Sequence, residues 1–361
     1  MGYVAQHTTI PVPNVLGYGK CEVGPYIVMS FIEGNLLSGY LRDASQEIVT
    51  LNLNIPMSAL KKAYFSMAEV LLELSKPAFL FIGAIRQDES GCWIVPKRPL
   101  TFNMNWLAQF SNIPHNVFEQ WQFSNAVDYF KELTQQHFYH LEFQCNNAVT
   151  TKADCQKKYI TRCLFHKLLH EISKHCSGPF QLYCDNLHPD NVLVDASRLV
   201  VAGVIDWEFA YTAPVEFTYA APWWLLLECL EDWDPDLDQF LVHFMLRFHI
   251  FLEALQDCEA RKINDGLLLQ SQCLSIAMEN SLETGLFWIC LASWHSSMFD
   301  EIYWSFIDQR YFGPLTAIED WLCLLSAEER VNIDTFIEKK MHQTHVGNLV
   351  SHYSIDELVD L

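Results

Sequence analysis

The sequence predicts an α+β chain in which a short β-rich segment precedes a much larger, mainly helical lobe. Three observations predict it. Over residues 10–34, short apolar runs alternate with turns containing Pro and Gly. Residues 57–74, and most of the chain beyond Glu208, carry apolar side chains at helical spacing. Between them, residues 180–205 read as brief β-rich runs separated by polar turns.

Residues 1–8 look like the last turns of a helix with no capping residue before them. Ile10-Pro-Val-Pro-Asn14 is extended, because two prolines disfavour helical backbone. Runs 15–18 and 26–31 flank a polar, Gly-containing turn and predict a hairpin, which Glu33-Gly34 ends. Leu60, Tyr64, Met67, Val70, Leu71 and Leu74 place one apolar face on a helix that Pro77 stops. Runs 79–85 and 92–96 around Asp88-Glu-Ser-Gly91 predict a second hairpin. Residues 100–114 are ambiguous. Two long helices are expected over 123–143 and 155–176, joined by a polar linker. A strand over 180–184 enters the motif region, and strands at 192–194 and 199–205 flank a turn at 195–198. Helices are expected over 217–230, 237–256, 268–298 and 327–341. A chain opening in mid-helix reads as the tail of a longer domain.

The 361 residues are half hydrophobic, enough for a large core. Acidic residues number 44 against 23 basic, a formal charge of −21. Nucleic acid is a poor partner for that balance, since phosphates need compensating Lys and Arg. A cationic small molecule would suit it, and so would simple solubility. The twelve cysteines include no Cys-x-x-Cys pair and carry no metal signature. Reduced thiols in a cytoplasmic protein are expected. No charged-then-apolar leader is read at the start. The longest apolar runs, 220–227 and 285–294, fall short of the roughly 20 residues a membrane helix needs.

The chemistry concentrates in Leu182-Tyr-Cys-Asp-Asn-Leu-His-Pro-Asp-Asn191 and Val204-Ile-Asp-Trp-Glu208. Phosphoryl transfer needs Mg²⁺ held against phosphates, an oriented hydroxyl and a clamp over the nucleotide. Mg²⁺ takes oxygen ligands and usually only one or two carboxylates. Asn191 and Asp206 supply such oxygens, each beside a short apolar strand. The loop Cys184-Asp-Asn-Leu-His-Pro-Asp-Asn191 resembles the aminoglycoside phosphotransferase family, which has a protein-kinase-like fold. That family carries His-Gly-Asp-Leu-His-Pro-Gly-Asn, or Cys-Asp-Asp-Leu-Arg-Pro-x-Asn in its fungal branch. The stretch Gly203-Val-Ile-Asp-Trp-Glu-Phe-Ala-Tyr211 is similar too, as are Ala213-Pro214 and Ala221-Pro-Trp-Trp224. Gly24-Pro-Tyr-Ile-Val-Met-Ser-Phe-Ile-Glu-Gly34 looks like the family's hinge strand.

The resemblance implies ATP and Mg²⁺ as cofactors, with Asn191 and Asp206 on the metal. It implies that Met29, Ser30, Phe31 and Ile32 line the adenine site. Residues 1–33 would be the remnant of the nucleotide-binding lobe and hinge, and 34–361 the helical lobe. Asn186 stands where the family has its catalytic Asp. An amide cannot accept a proton at neutral pH, and that help is worth about 10²–10⁴-fold in rate. Adjacent Asp185 is the alternative candidate. The family's phosphate-covering loop, its ATP-binding Lys and that lysine's Glu partner precede the point at which this sequence begins, so weak nucleotide binding is expected. The implied ancestral activity is transfer of phosphate from ATP to a small-molecule hydroxyl. The alternative is a pseudokinase that acts as a binding or scaffold protein.

Other candidates have plain structural readings beside functional ones. Trp223-Trp224 reads as an aromatic cage for a cation, or as core. The acidic run 228–238 reads as an amine-recognition rim, or as a solvated loop with helix-terminal charges. His295 with Asp300 and Glu301 reads as an ordinary polar helix face, because no second His stands at ligand spacing, and so do His137 and His140, three apart without a convincing carboxylate partner.

Overall fold

The computed structural model describes residues 1–111, 113–145, 148–169, 177–195 and 197–346. The chain is α+β. A short helix α1 (Gly2–His7) leads to an antiparallel hairpin, β1 (Val15–Cys21) and β2 (Gly24–Met29). Gly24 follows the turn at φ +115°, a conformation that favours glycine. Both faces of this hairpin are largely exposed, with Tyr18 83 % and Phe31, just beyond it, 91 % accessible.

Past β3 (Asn35–Leu36) and α2 (Leu37–Leu41), helix α3 spans Met57–Leu74, the range its apolar spacing predicts. Its buried face packs on the long helix Leu237–Asn264. Tyr64 is the hinge of that contact. Its ring meets Phe251 edge-on, and its hydroxyl donates to the Leu225 carbonyl at 2.7 Å. That bond offsets the cost of burying a phenol.

The second hairpin is β4 (Ala84–Gln87) with β5 (Trp93–Lys97), a few residues later than its apolar runs suggest. Asp88 organises its turn by accepting from the Ser90 and Cys92 amides, each at 2.9 Å. Residues 100–114, ambiguous by period, contain helix α4 (Phe102–Phe110), capped by Thr101 Oγ1 accepting from Met104 N–H at 3.1 Å. Helices α5 (Ala126–Phe143) and α6 (Lys152–Lys167) pack together, each with an Asn or Thr cap. The expected extension of α6 over 170–176 lies outside the described residues.

Four small antiparallel sheets form among the described residues. Two of them carry the motif. Strand β6 (Gln181–Cys184) pairs with β9 (Ala210–Ala213), and β7 (Val192–Val194) pairs with β8 (Val201–Val204) and β3. The helix expected over 217–230 does not form. Pro214 and Pro222 lack amide donors, and the chain makes one short helical turn, Val215–Thr218, followed by two tight turns. The helix expected over 268–298 breaks at Gly285, φ +89°, into Ser275–Thr284 and Leu286–Trp294.

Gly83 joins the second hairpin to the motif sheet: its N–H and C=O exchange bonds with Thr212 at 3.1 and 2.9 Å. A Cβ there would stand 2.1 Å from the Lys97 carbonyl oxygen, which is backbone and cannot rotate away. Gly83→Ala is expected to lower stability by about 1–3 kcal/mol, the usual cost of overpacking. Urea unfolding of the two proteins checks this, and an unchanged midpoint would refute the close approach.

Candidate active site

The β7–β8 hairpin brings two oxygen-bearing side chains to neighbouring strand ends. After the Val192↔Val204 pair, Ile205 N–H donates to the Asn191 carbonyl at 2.9 Å. Asn191 is therefore next to Asp206 although the two are distant in sequence. Its side chain is buried, and its Nδ2 donates to the Asn186 carbonyl at 2.8 Å and faces His188 Nε2 at 3.3 Å. The amide nitrogen is thus engaged and Oδ1 remains as the donor face for a ligand. His188 Nδ1 sits 3.3 Å from the Asp190 carboxylate, and this contact holds Asp190 below its ordinary value.

Asp206 adopts φ +54°, left-handed backbone that costs a non-glycine residue about 1–3 kcal/mol. Trp207 fixes the turn from beneath: it is buried, and its Nε1–H donates to the Val204 carbonyl at 2.9 Å. Glu208 follows. Partial burial, and then the charge of Asp206, push its carboxyl above the ordinary range. Asn186 Nδ2 donates to Asp206 Oδ2 at 3.1 Å and reaches Glu208 Oε1 at 3.4 Å.

This donor set fits Mg²⁺. One amide oxygen and one or two carboxylates, with room for water and phosphate, is how that ion is usually held. The mutual repulsion of Asp206 and Glu208 is what a divalent cation would relieve. No group of three or more His, Cys, Asp or Glu side chains forms a ready cage among the described residues.

The two candidates at the head of the loop diverge. Asn186 turns toward Asp206 and Glu208 as a hydrogen-bond donor. Asp185 turns toward α4: its Oδ2 accepts from Phe102 N–H at 2.8 Å and its Oδ1 from the Tyr211 hydroxyl at 2.9 Å. Burial pushes Asp185 up to about 6, against the pull of these two bonds and of His295. Its carboxylate thus anchors the first turn of α4, where negative charge is favoured.

The hinge candidates lie on the other side of the hairpin. Ser30 N–H donates to the Asn14 carbonyl at 2.9 Å, and its hydroxyl accepts from Asn14 N–H at 2.9 Å. Met29 ends β2, Phe31 projects into solvent, and Ile32 packs so tightly on Gly203 that a Cβ there would meet Ile32 Cδ1 at 2.5 Å. Of these residues, Ile32 is the one that packs on β8, at Gly203, three residues before Asp206.

Of the remaining candidates, Trp224 is core, whereas Trp223 is half-buried with its ring 5.7 Å from His188. The acidic run does several structural jobs. Asp236 caps the helix Leu237–Asn264 and Asp232 accepts from Cys229 N–H. Burial, with Asp232 adding to it, pushes Glu228 up to about 7. Sequence reasoning missed β9, and with it Tyr211 and the edge-on pair of Phe102 with Phe209. It also missed that His295 meets Glu231. The β-favouring pair Tyr211-Thr212 was the available signal for β9.

A carboxyl raised by folding stabilises the fold below its unfolded value and loses that contribution as pH rises through its folded value. For Asp185 the window is about 3.8 to about 6. Asp185→Asn keeps an acceptor for Phe102 N–H and removes the titration. Relative to this variant, the natural protein should lose stability across that window and level off above it. Thermal melts of both proteins between about pH 4 and 7 check this, and parallel curves would exclude a raised Asp185.

No family model matches the sequence, and no curated protein matches it. Among solved structures, the chain is similar to a thermostable mutant of aminoglycoside phosphotransferase APH(4)-Ia in ternary complex with AMP-PNP and hygromycin B. The TM-score is 0.41 at 14 % identity, over 93 % of this chain and 81 % of that one. The apo form of a thermostable mutant of the same enzyme, without the asparagine-to-alanine substitution carried by that complex, gives the same values. A variant complexed with ADP and hygromycin B gives a TM-score of 0.40 at 15 % identity, over 93 % and 81 %. These overlays are loose, so the chemistry is read from the residues of the site.

Proposed function

We propose that the chain is a kinase-like small-molecule phosphotransferase, transferring the γ-phosphoryl of ATP to an alcohol. One observation supports this reading: the Ile205–Asn191 backbone bond of 2.9 Å, which brings Asn191 to the turn that carries Asp206 at φ +54°. When bound, Mg²⁺ would supply positive charge against the negative charge that develops during phosphoryl transfer. Asn191 and Asp206 would hold it, with Glu208 close by. Asn186 orients both carboxylates through its amide. Met29, Ser30, Phe31 and Ile32 offer backbone and an apolar ring for a nucleobase beside the same hairpin. The acidic side chains Glu208 and Glu231 near the loop favour a cationic acceptor over an anionic one.

A second reading is favoured by one specific observation. Asn186 presents an amide where a base would stand, and it is already committed to two carboxylates. On that reading the protein binds a nucleotide or small molecule without turnover.

Calorimetry of ATP binding, with Mg²⁺ and then with EDTA, tests the shared core of both readings. Metal-dependent binding is expected, weakened at least about tenfold in Asp206→Asn by loss of a charged ligand. Binding that ignores both EDTA and the substitution would remove the metal-site assignment. ADP release then separates the two readings.

A further inference from the structure

Phe102 opens helix α4 at the edge of the candidate site and is 54 % exposed. Three contacts fix its place. Its N–H donates to Asp185 Oδ2 at 2.8 Å, so it touches the residue next to Asn186. Its ring meets Phe209 edge-on, 5.6 Å between centroids and 87° between planes. Phe209 in turn follows Glu208, whose Oε1 lies 3.4 Å from Asn186 Nδ2. The third contact is the cap just before the helix: Thr101 is buried, and its Oγ1 accepts from Met104 N–H at 3.1 Å.

An exposed phenylalanine is common and by itself says little. This one is held where it is by its neighbours. Phe209 adopts φ +55°, a left-handed conformation that strains a non-glycine residue. Asp185 gives its two oxygens to the Phe102 amide and the Tyr211 hydroxyl, which pins the start of α4 to the loop. Thr101 is extended, at φ −99° and ψ 157°, so Leu100 and Phe102 leave the chain on the same side. Leu100 is also exposed, and the pair forms an apolar wall. An alcohol whose hydroxyl lies beside Asn186, where a base would stand, has Glu208 and the Phe102–Phe209 pair next to its remaining atoms. Glu208 is exposed and offers a negative charge to an amine. The ring offers a face on which a flat apolar group stacks and to which a cation is drawn.

We propose that Phe102, backed by Phe209, determines acceptor specificity, and that the acceptor is an amino alcohol carrying a flat apolar ring. The assignment of this ligand as acceptor rests on the phosphotransferase reading. Asp185 is the positioning residue of the wall, because its carboxylate fixes α4 beside Asn186. A small amino alcohol makes the charge contact with Glu208 and leaves the Phe102 ring in water. One that bears a ring covers it, and removing that apolar surface from water favours binding.

The test is calorimetry of the full chain with two probes, phenylalaninol and alaninol. They share the amine and the alcohol and differ by one phenyl ring. Phenylalaninol should bind about tenfold more tightly. Phe102→Ala removes the ring but keeps the backbone N–H that Asp185 accepts, and it should bring the two probes to nearly equal affinity. Phe102→Tyr keeps a ring and should keep the preference. ADP release from Mg²⁺-ATP is then measured with each alcohol. A ring preference lost in Phe102→Ala and kept in Phe102→Tyr supports the wall, with or without ADP release. Absence of ADP release with that preference intact counts against the phosphotransferase reading alone. Equal affinity of the natural protein for both probes, a preference that survives Phe102→Ala, or no binding of either probe would overturn the wall.

Discussion

One backbone hydrogen bond, from Ile205 N–H to the Asn191 carbonyl, is the constraint on which the site depends. It closes the end of the β7–β8 hairpin. Without it Asn191 and Asp206 would be two polar residues on separate loops. Everything around it reinforces the same closure. Trp207 donates back to Val204, Val204 N–H is tied to the Pro11 carbonyl at 2.8 Å, and Asn191 reaches across to the loop backbone. A net hydrogen bond is worth only about 1 kcal/mol. Several converging on one turn can hold Asp206 in a conformation that costs more than any one of them supplies.

The loop then divides its labour by the chemistry of two adjacent side chains. Asp185 is an acceptor and finds two donors, the α4 amide and the Tyr211 hydroxyl. Asn186 has amide protons and finds two carboxylates. Exchanging the two residue types would leave three carboxylates near one another on one side and too few acceptors on the other. The arrangement is self-consistent as a binding and positioning device.

Local signals made much of this legible. Helix α3 could be read to its ends because its apolar face repeats every three to four residues. Strand β6 and the β7–β8 hairpin were legible because β-rich runs were bounded by polar turns. The pairing of Asn191 with Asp206 was also within reach, since residue types and spacing carry that chemistry. Residues 217–230 misled, because an apolar run that is buried on all sides shows no period to tell helix from turn.

The sequence by itself determined the α+β class, the motif region and the residue types able to hold a metal. It did so because period, turn chemistry and ligand type are properties of neighbouring residues. Tertiary structure alone decided which way Asp185 and Asn186 face, that Ala210–Ala213 becomes a strand beside β6, and that His295 meets Glu231. Those outcomes depend on which buried donor or carboxylate arrives from elsewhere in the chain. A partner of that kind leaves no trace in the local pattern.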